Sequence, residues 1–285
     1  MSVLRDASFR ARVLAGHVRV RLTPTFTGHP PVVVACTHRT ASSATYSAVR
    51  RALGYTVVKC HRLNPALMVP TRHLDGAVIG RGGMLCNHMH GDQVVHGSIV
   101  KPRREARFIM MVRDPVAVMA SMAGLAATGA RRWGPDPDTT PHWPACDPFM
   151  GAMTGWFEHD VKPALGWSLL DHPFDAERGA GTFQHGQWEI LVLRADLADS
   201  EKSHELSQFL GVPGIDVRPL NSAAERGQSL GVERARAAIR KHPAVVDVAY
   251  AHPFSQLCFT PTQLSAMRGR WLGPAPSTVV PTPPG

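Results

Sequence analysis

The chain has 285 residues, 44% of them apolar, and a formal net charge of +9, with a pI near 9.9. That length suits one large domain with appendages, and the apolar share is enough for a real core. No run of about 18 uninterrupted apolar residues occurs, which excludes a bilayer-spanning helix. The positive balance selects anionic ligands: a nucleotide, a sulfated or phosphorylated sugar, a membrane surface or nucleic acid. Zinc-finger spacing, an RNP-type aromatic motif and a long lysine block are all missing, so nucleic-acid binding finds little support. The five cysteines, Cys36, Cys60, Cys86, Cys146 and Cys258, are odd in number and widely scattered. They form no CxxC pair and fit a reducing cytoplasm.

In chain order, residues 1–30 form a basic arm with five arginines and one aspartate, a net +4. Val3, Leu4, Phe9, Val13 and Leu14 alternate with arginines over 1–22 in an amphipathic helical pattern. The pattern suits a helix packed on the domain and also one lying on a membrane surface. Arg5, Arg10 and Arg12 interrupt any secretory hydrophobic region. Pro24 to Pro31 reads as a linker. A strand follows over 32–36, then a polar turn and a helix over 42–53. A second strand is expected over 55–60, a short third over 84–87 and a fourth over 108–112, with a helix over 116–127. The stretch 131–148, rich in Trp, Pro, Asp and His, reads as a long loop or lid. Residues 147–165 are expected to be helical up to a kink near Pro163. A fifth strand covers 187–193 and a helix covers 200–210. Residues 231–271 read as mostly helical, and 273–285 as a disordered Pro-rich tail. The main domain thus spans 31–272. Strands that are continuously apolar alternate with helices, which predicts an α/β fold: a parallel sheet flanked by helices, with a helical C-terminal part.

Two turns carry the chemistry. The strand Pro31-Val-Val-Val-Ala-Cys36 runs into Thr37-His-Arg-Thr-Ala-Ser-Ser43 and then a helix. Backbone N–H groups and the helix dipole point at one spot there. Ser42, Ser43 and Thr45 add hydroxyl donors, and Arg39 adds a full charge. No glycine and no G-x-x-x-x-G-K-[ST] pattern is present, so this is not a Walker A loop. About seventy residues on, the strand Phe108-Ile-Met-Met-Val112 ends in Arg113-Asp114-Pro115. Asp114 and Pro115 make a good helix start. Ser121 lies two helical turns further, able to share a phosphate with Arg113. Both turns fall at the carboxyl edge of the sheet, where ligands of such folds bind.

These two turns resemble those of the sulfotransferases that use 3′-phosphoadenylyl sulfate (PAPS). More narrowly, the chain is similar to a bacterial family of capsular polysaccharide synthesis proteins in the same superfamily. The resemblance rests on Arg39-Thr-Ala-Ser-Ser-Ala-Thr-Tyr46, Asn87-His-Met-His90, Val112-Arg-Asp-Pro115, Trp156-Phe-Glu158, His172-Pro-Phe-Asp175 and Leu191-Val-Leu-Arg194. It implies a P-loop-NTPase-like sheet, the sulfotransferase fold, and sulfuryl transfer from PAPS to a hydroxyl, leaving 3′-phosphoadenosine 5′-phosphate (PAP). It places Arg39, Thr40, Ala41, Ser42, Ser43, Ala44 and Thr45 on the 5′-phosphosulfate, and Arg113 and Ser121 on the 3′-phosphate. The family's lysine in the first turn is replaced by Arg39, which can stabilise the leaving group but not donate a proton. The acceptor implied is a sugar, a glycolipid or a secondary metabolite.

Sulfuryl transfer needs a base, and histidine suits it near neutral pH. Were 84–90 extended, His88 and His90 would project to one side at the sheet edge. Some sugar 2-O-sulfotransferases carry a similar His-x-His that supplies the base. Both residues are candidates, against a background of fifteen histidines. No neighbouring carboxylate or cysteine completes a metal site around them. Trp133, Trp143, Trp156 and Trp167 suit either an acceptor ring or the core, and Glu158 either a site or a surface charge. Two rival readings stand beside this one. The first is a nucleotide-dependent kinase on a related fold. The second is a non-catalytic protein that binds anionic glycans or membranes.

Overall fold

The computed structural model describes residues 2–37, 40, 42–54, 57–68, 84–127, 154–219 and 229–273. Its centre is a five-stranded sheet of β1 (Val32–Ala35), β2 (Val57–Cys60), β3 (Ala106–Val112), β4 (Ala180–His185) and β5 (Trp188–Arg194), in the order β2-β1-β3-β5-β4. All neighbours are parallel except β4, which pairs antiparallel with β5 on the edge. The helices are α1 (Ser2–Thr27), α2 (Ser42–Leu53), α3 (Met84–Val95), α4 (Pro115–Ala127), α5 (Lys162–Leu165), α6 (Asp199–Leu210), α7 (Ser229–Lys241), α8 (Ala244–Ala251), α9 (Pro253–Cys258) and α10 (Pro261–Leu272).

The sheet is covered on both faces, as its unbroken apolar strands require. Val33, Ala35, Phe108, Met110, Ile190 and Val192 pack with residues of α3, α4 and the C-terminal helices. Their neighbours along the strands, Val34, Ile109, Met111, Leu191 and Leu193, turn to the other face and meet α2 and α6. The chain leaves β1 through α2 on one face to reach β2. It then crosses through α3 on the opposite face to β3, on the far side of β1. The winding direction therefore reverses between β1 and β3, which makes their carboxyl ends the switch point of the sheet.

Three expectations need correction. The short third strand over 84–87 is the first turn of α3. Its helical state comes from tertiary contacts: a Cβ on Gly91 would fall 1.9 Å from the Lys59 carbonyl oxygen, so the helix lies directly on the end of β2. Asp92, one residue on, accepts hydrogen bonds from the His61 and Arg62 N–H groups at 2.6 and 3.1 Å. The linker at 24–31 begins too early, because α1 runs through Pro24 to Thr27. The Gly28 N–H closes the last turn on the Pro24 carbonyl, and Gly28 ends it at φ 69. Strand β4 was not foreseen. It is a half-exposed edge strand joined to β5 by Gly186-Gln187, with Gly186 at φ 56.

Helices α2, α4 and α6 and strands β1, β3 and β5 match expectation to within one or two residues, and α7 to α10 supply the helical C-terminal part. Of the described residues before Pro163, Thr154 and Gly155 form a turn and the chain is helical from Trp156, first as a π-helix (Phe157–Val161) and then as α5, which ends at Gly166 with φ 72. The loop expected at 131–148 and the tail 274–285 lie outside the described residues. No helix among the described residues is long and apolar enough to cross a membrane.

Candidate functional site

The first and second turns leave adjacent parallel strands at the same edge, with Ala35 opposite Met110 in the register. Strand β2 brings Lys59, Cys60 and His61 to that edge beside β1, and β5 brings Arg194 and Asp196 beside β3.

In the first turn, Arg39 and Ala41 lie outside the described residues. Helix α2 starts at Ser42, so its first N–H groups have no intrahelical acceptor and point outward with the positive end of the dipole. The hydroxyls are disposed differently from expectation. Thr40 is buried and donates to the Thr37 carbonyl at 3.0 Å. Thr45 is buried and donates to the Met111 sulfur at 3.5 Å. Burial pushes the Cys36 thiol up, opposed by the Lys59 charge and by the neighbouring Ser42 and Thr40 hydroxyls. Ala44 packs into the core. The half-buried Ser43 hydroxyl meets a cation: the Lys59 ammonium donates to it at 3.0 Å.

Below the turn, the His61 ring nitrogen Nδ1 sits 2.8 Å from the Cys36 carbonyl; a carbonyl only accepts, so Nδ1 carries the proton. Two buried carboxylates then hold the residues that leave β2. Asp92 takes the N–H groups of His61 and Arg62. Asp160 takes those of Leu63 and Asn64 at 2.8 and 2.7 Å, with the Arg62 guanidinium at 3.3 Å. Burial raises Asp92 to about 7; the two N–H donors oppose this, and the Asp160 charge adds to it.

The second turn is more tightly held. Asp114 caps α4 by accepting the Val116 N–H at 2.9 Å. It also accepts the Tyr250 hydroxyl at 3.1 Å and the Trp271 indole N–H at 3.0 Å, which ties α8 and α10 to the end of β3. Burial, with the Asp114 charge beside it, holds the Tyr250 phenol far above its usual range, so it stays a donor. Arg113 is half-buried at the edge. Desolvation lowers its pKa, while Asp114 and Asp196 favour the cation. Ser121 is half-buried on α4. At the end of β5, buried Arg194 bonds the Ala176 carbonyl at 2.8 Å and Asp196 at 3.1 Å and lies over the Phe259 ring, acting as a tie between segments.

The histidine pair changes most. On a helix, positions 88 and 90 fall on different faces, so the same-side argument does not hold. His90 is turned to α1: its Nε2–H donates to the Arg12 carbonyl at 2.5 Å, and burial lowers its pKa. Nothing is described of the His88 side chain. Trp156 and Trp167 are core residues, packed edge-on against Phe157. Glu158 pairs with Lys162 at 3.2 Å and accepts the Ser168 hydroxyl. Trp133 and Trp143 lie outside the described residues.

Sequence reasoning missed Lys59 and His61. The signal was present: a strand parallel to β1 delivers its last residues beside the residues that open the turn, and a lysine in an otherwise apolar strand has to surface there. Comparison of the chain with protein-family models, with curated proteins and with solved structures finds no match.

Proposed function

We propose that the chain is a sulfotransferase that moves a sulfuryl group from PAPS to a hydroxyl of a sugar, glycolipid or secondary metabolite. One observation carries the reading. Two strand-to-helix turns suited to anions stand side by side at the switch point of a doubly covered sheet, one with Ser43 and Lys59 and the other with Arg113.

In this reading the first N–H groups of α2, with Arg39 and Lys59, hold the 5′-phosphosulfate, and Arg113 with Ser121 holds the 3′-phosphate. When bound, PAPS supplies an activated sulfuryl group. Arg39 and Lys59 stabilise the charge that grows on the departing phosphate. A histidine takes the acceptor's proton. Because His90 is bonded to the Arg12 carbonyl, His88 is the preferred base, and its loss costs ~10²–10⁴-fold in turnover.

Isothermal titration with PAP is the test. The parent chain binds it, and Arg113→Ala weakens binding about a hundredfold, as expected for removal of one partner from a desolvated charge pair. No heat with the parent, or equal affinity in the variant, removes the assignment.

A further inference from the structure

Over residues 10–24 helix α1 has two apolar faces, and among the described side chains only one of them is covered. Gly16, Val20 and Thr23 are buried against the domain. A Cβ on Gly16 would meet Val94 of α3 at 2.6 Å, and His17 bonds the Ser98 hydroxyl at 2.6 Å. On the other side Leu14, Val18 and Leu22 are 65%, 48% and 43% exposed, among the largest exposed apolar side chains described. They recur every fourth residue and, with exposed Ala11 and Ala15, fill one arc of about 100°. Arg10 and Arg21 border that arc on one side, and Arg12 and Arg19 on the other. No acidic residue occurs between Asp6 and Asp75. The π-helical turn that His17 touches is followed by three exposed cations, Lys101, Arg103 and Arg104.

The geometry points to α1 as an in-plane anchor on a lipid bilayer surface that carries anionic headgroups. Leu14, Val18 and Leu22 enter the boundary of the acyl region, and the bordering arginines reach phosphates on either side. Their long stems lie along the apolar stripe while the guanidinium groups stay at headgroup level. The charge pattern selects this occupant over a second copy of the chain. Two such stripes laid together would set arginine against arginine on both borders, with no carboxylate from this segment to pair them. The bilayer, in contrast, offers an apolar layer flanked by negative charge. The inference is independent of the nucleotide site, so either can fail alone.

Flotation of the full chain tests it, with vesicles of phosphatidylcholine alone and of phosphatidylcholine mixed with phosphatidylglycerol. The chain partitions onto the mixed vesicles, more weakly at high salt, and much less onto the neutral ones. The variants Leu14→Ser/Val18→Ser/Leu22→Ser and Arg10→Glu/Arg21→Glu each bind the mixed vesicles about tenfold less or worse. Helical circular dichroism is unchanged in the serine variant, because the replaced side chains face solvent. The inference is overturned if the parent does not float, or if the serine variant floats like the parent, which would make the attraction purely ionic. It is also overturned if light scattering shows a parent dimer that the serine variant breaks, with no vesicle binding in either.

Discussion

The exits of β2 and β3 are both locked by a buried aspartate, yet the two locks are built differently. Asp114, at the end of β3, accepts one backbone N–H and two side-chain donors from α8 and α10. Asp92, at the end of β2, accepts two backbone N–H groups and has a second carboxylate, Asp160, nearby. The first arrangement fastens a turn to distant helices. The second fastens a loop whose hold depends on protonation. At Asp92 desolvation outweighs the two N–H donors, and the neighbouring Asp160 charge adds to it.

The sharpest way to break this comparison is pH. The pKa of Asp92 is raised from 3.8 to about 7 on folding, so the native chain holds the extra proton between those values. Its contribution to stability is complete below about pH 4 and is lost as pH rises through 7, on the order of 4 kcal/mol. Asp92→Asn keeps an acceptor for the two N–H groups and removes the titration. Urea melts at pH 5 and pH 8 should therefore show the variant gaining on the parent at the higher pH. Parallel curves would sink the assignment.

Next in size is Asp114→Ala, which strips the α4 cap and leaves the Tyr250 hydroxyl and Trp271 indole without their acceptor. A loss of about 3 kcal/mol is expected in the same melts at neutral pH. A loss under about 1 kcal/mol would mean that the helices are held by packing alone. The smallest effect belongs to Lys59. If the β2 exit serves the first turn as Arg113 serves the second, Lys59→Met lowers PAP affinity about tenfold, as for one charge-assisted contact. A variant that binds as well as the parent would confine the site to β1 and β3.

The parts of this fold that were legible in the sequence are those where local pattern and tertiary demand agree. Val32 to Ala35 and Phe108 to Val112 are apolar throughout because both faces of the sheet are covered, and Asp114-Pro115 announces a capped helix. Residues 84–87 failed because Met-Leu-Cys-Asn looks like a short strand by itself. The helix there depends on Gly91 lying against a main-chain carbonyl and on Asp92 reaching another segment, contacts that leave no periodic trace. Strand β4 failed for the opposite reason: an edge strand with polar alternation, Thr182-Phe-Gln-His185, needs little apolar content. The second turn was legible to the level of its cap. In the first turn, the direction of Thr40 and Thr45 was not, because serine and threonine hydroxyls bond to whatever backbone or sulfur lies nearest.

Gly91 has a mechanical consequence. Helix α3 rests main chain on main chain at Lys59, with no side chain between to give way. Helix α1 presses on α3 through Gly16, which meets the Val94 and His90 side chains. A sideways load on the outermost helix therefore meets a seat of side chains first and a seat of bare main chain second, and the second is the stiffer of the two.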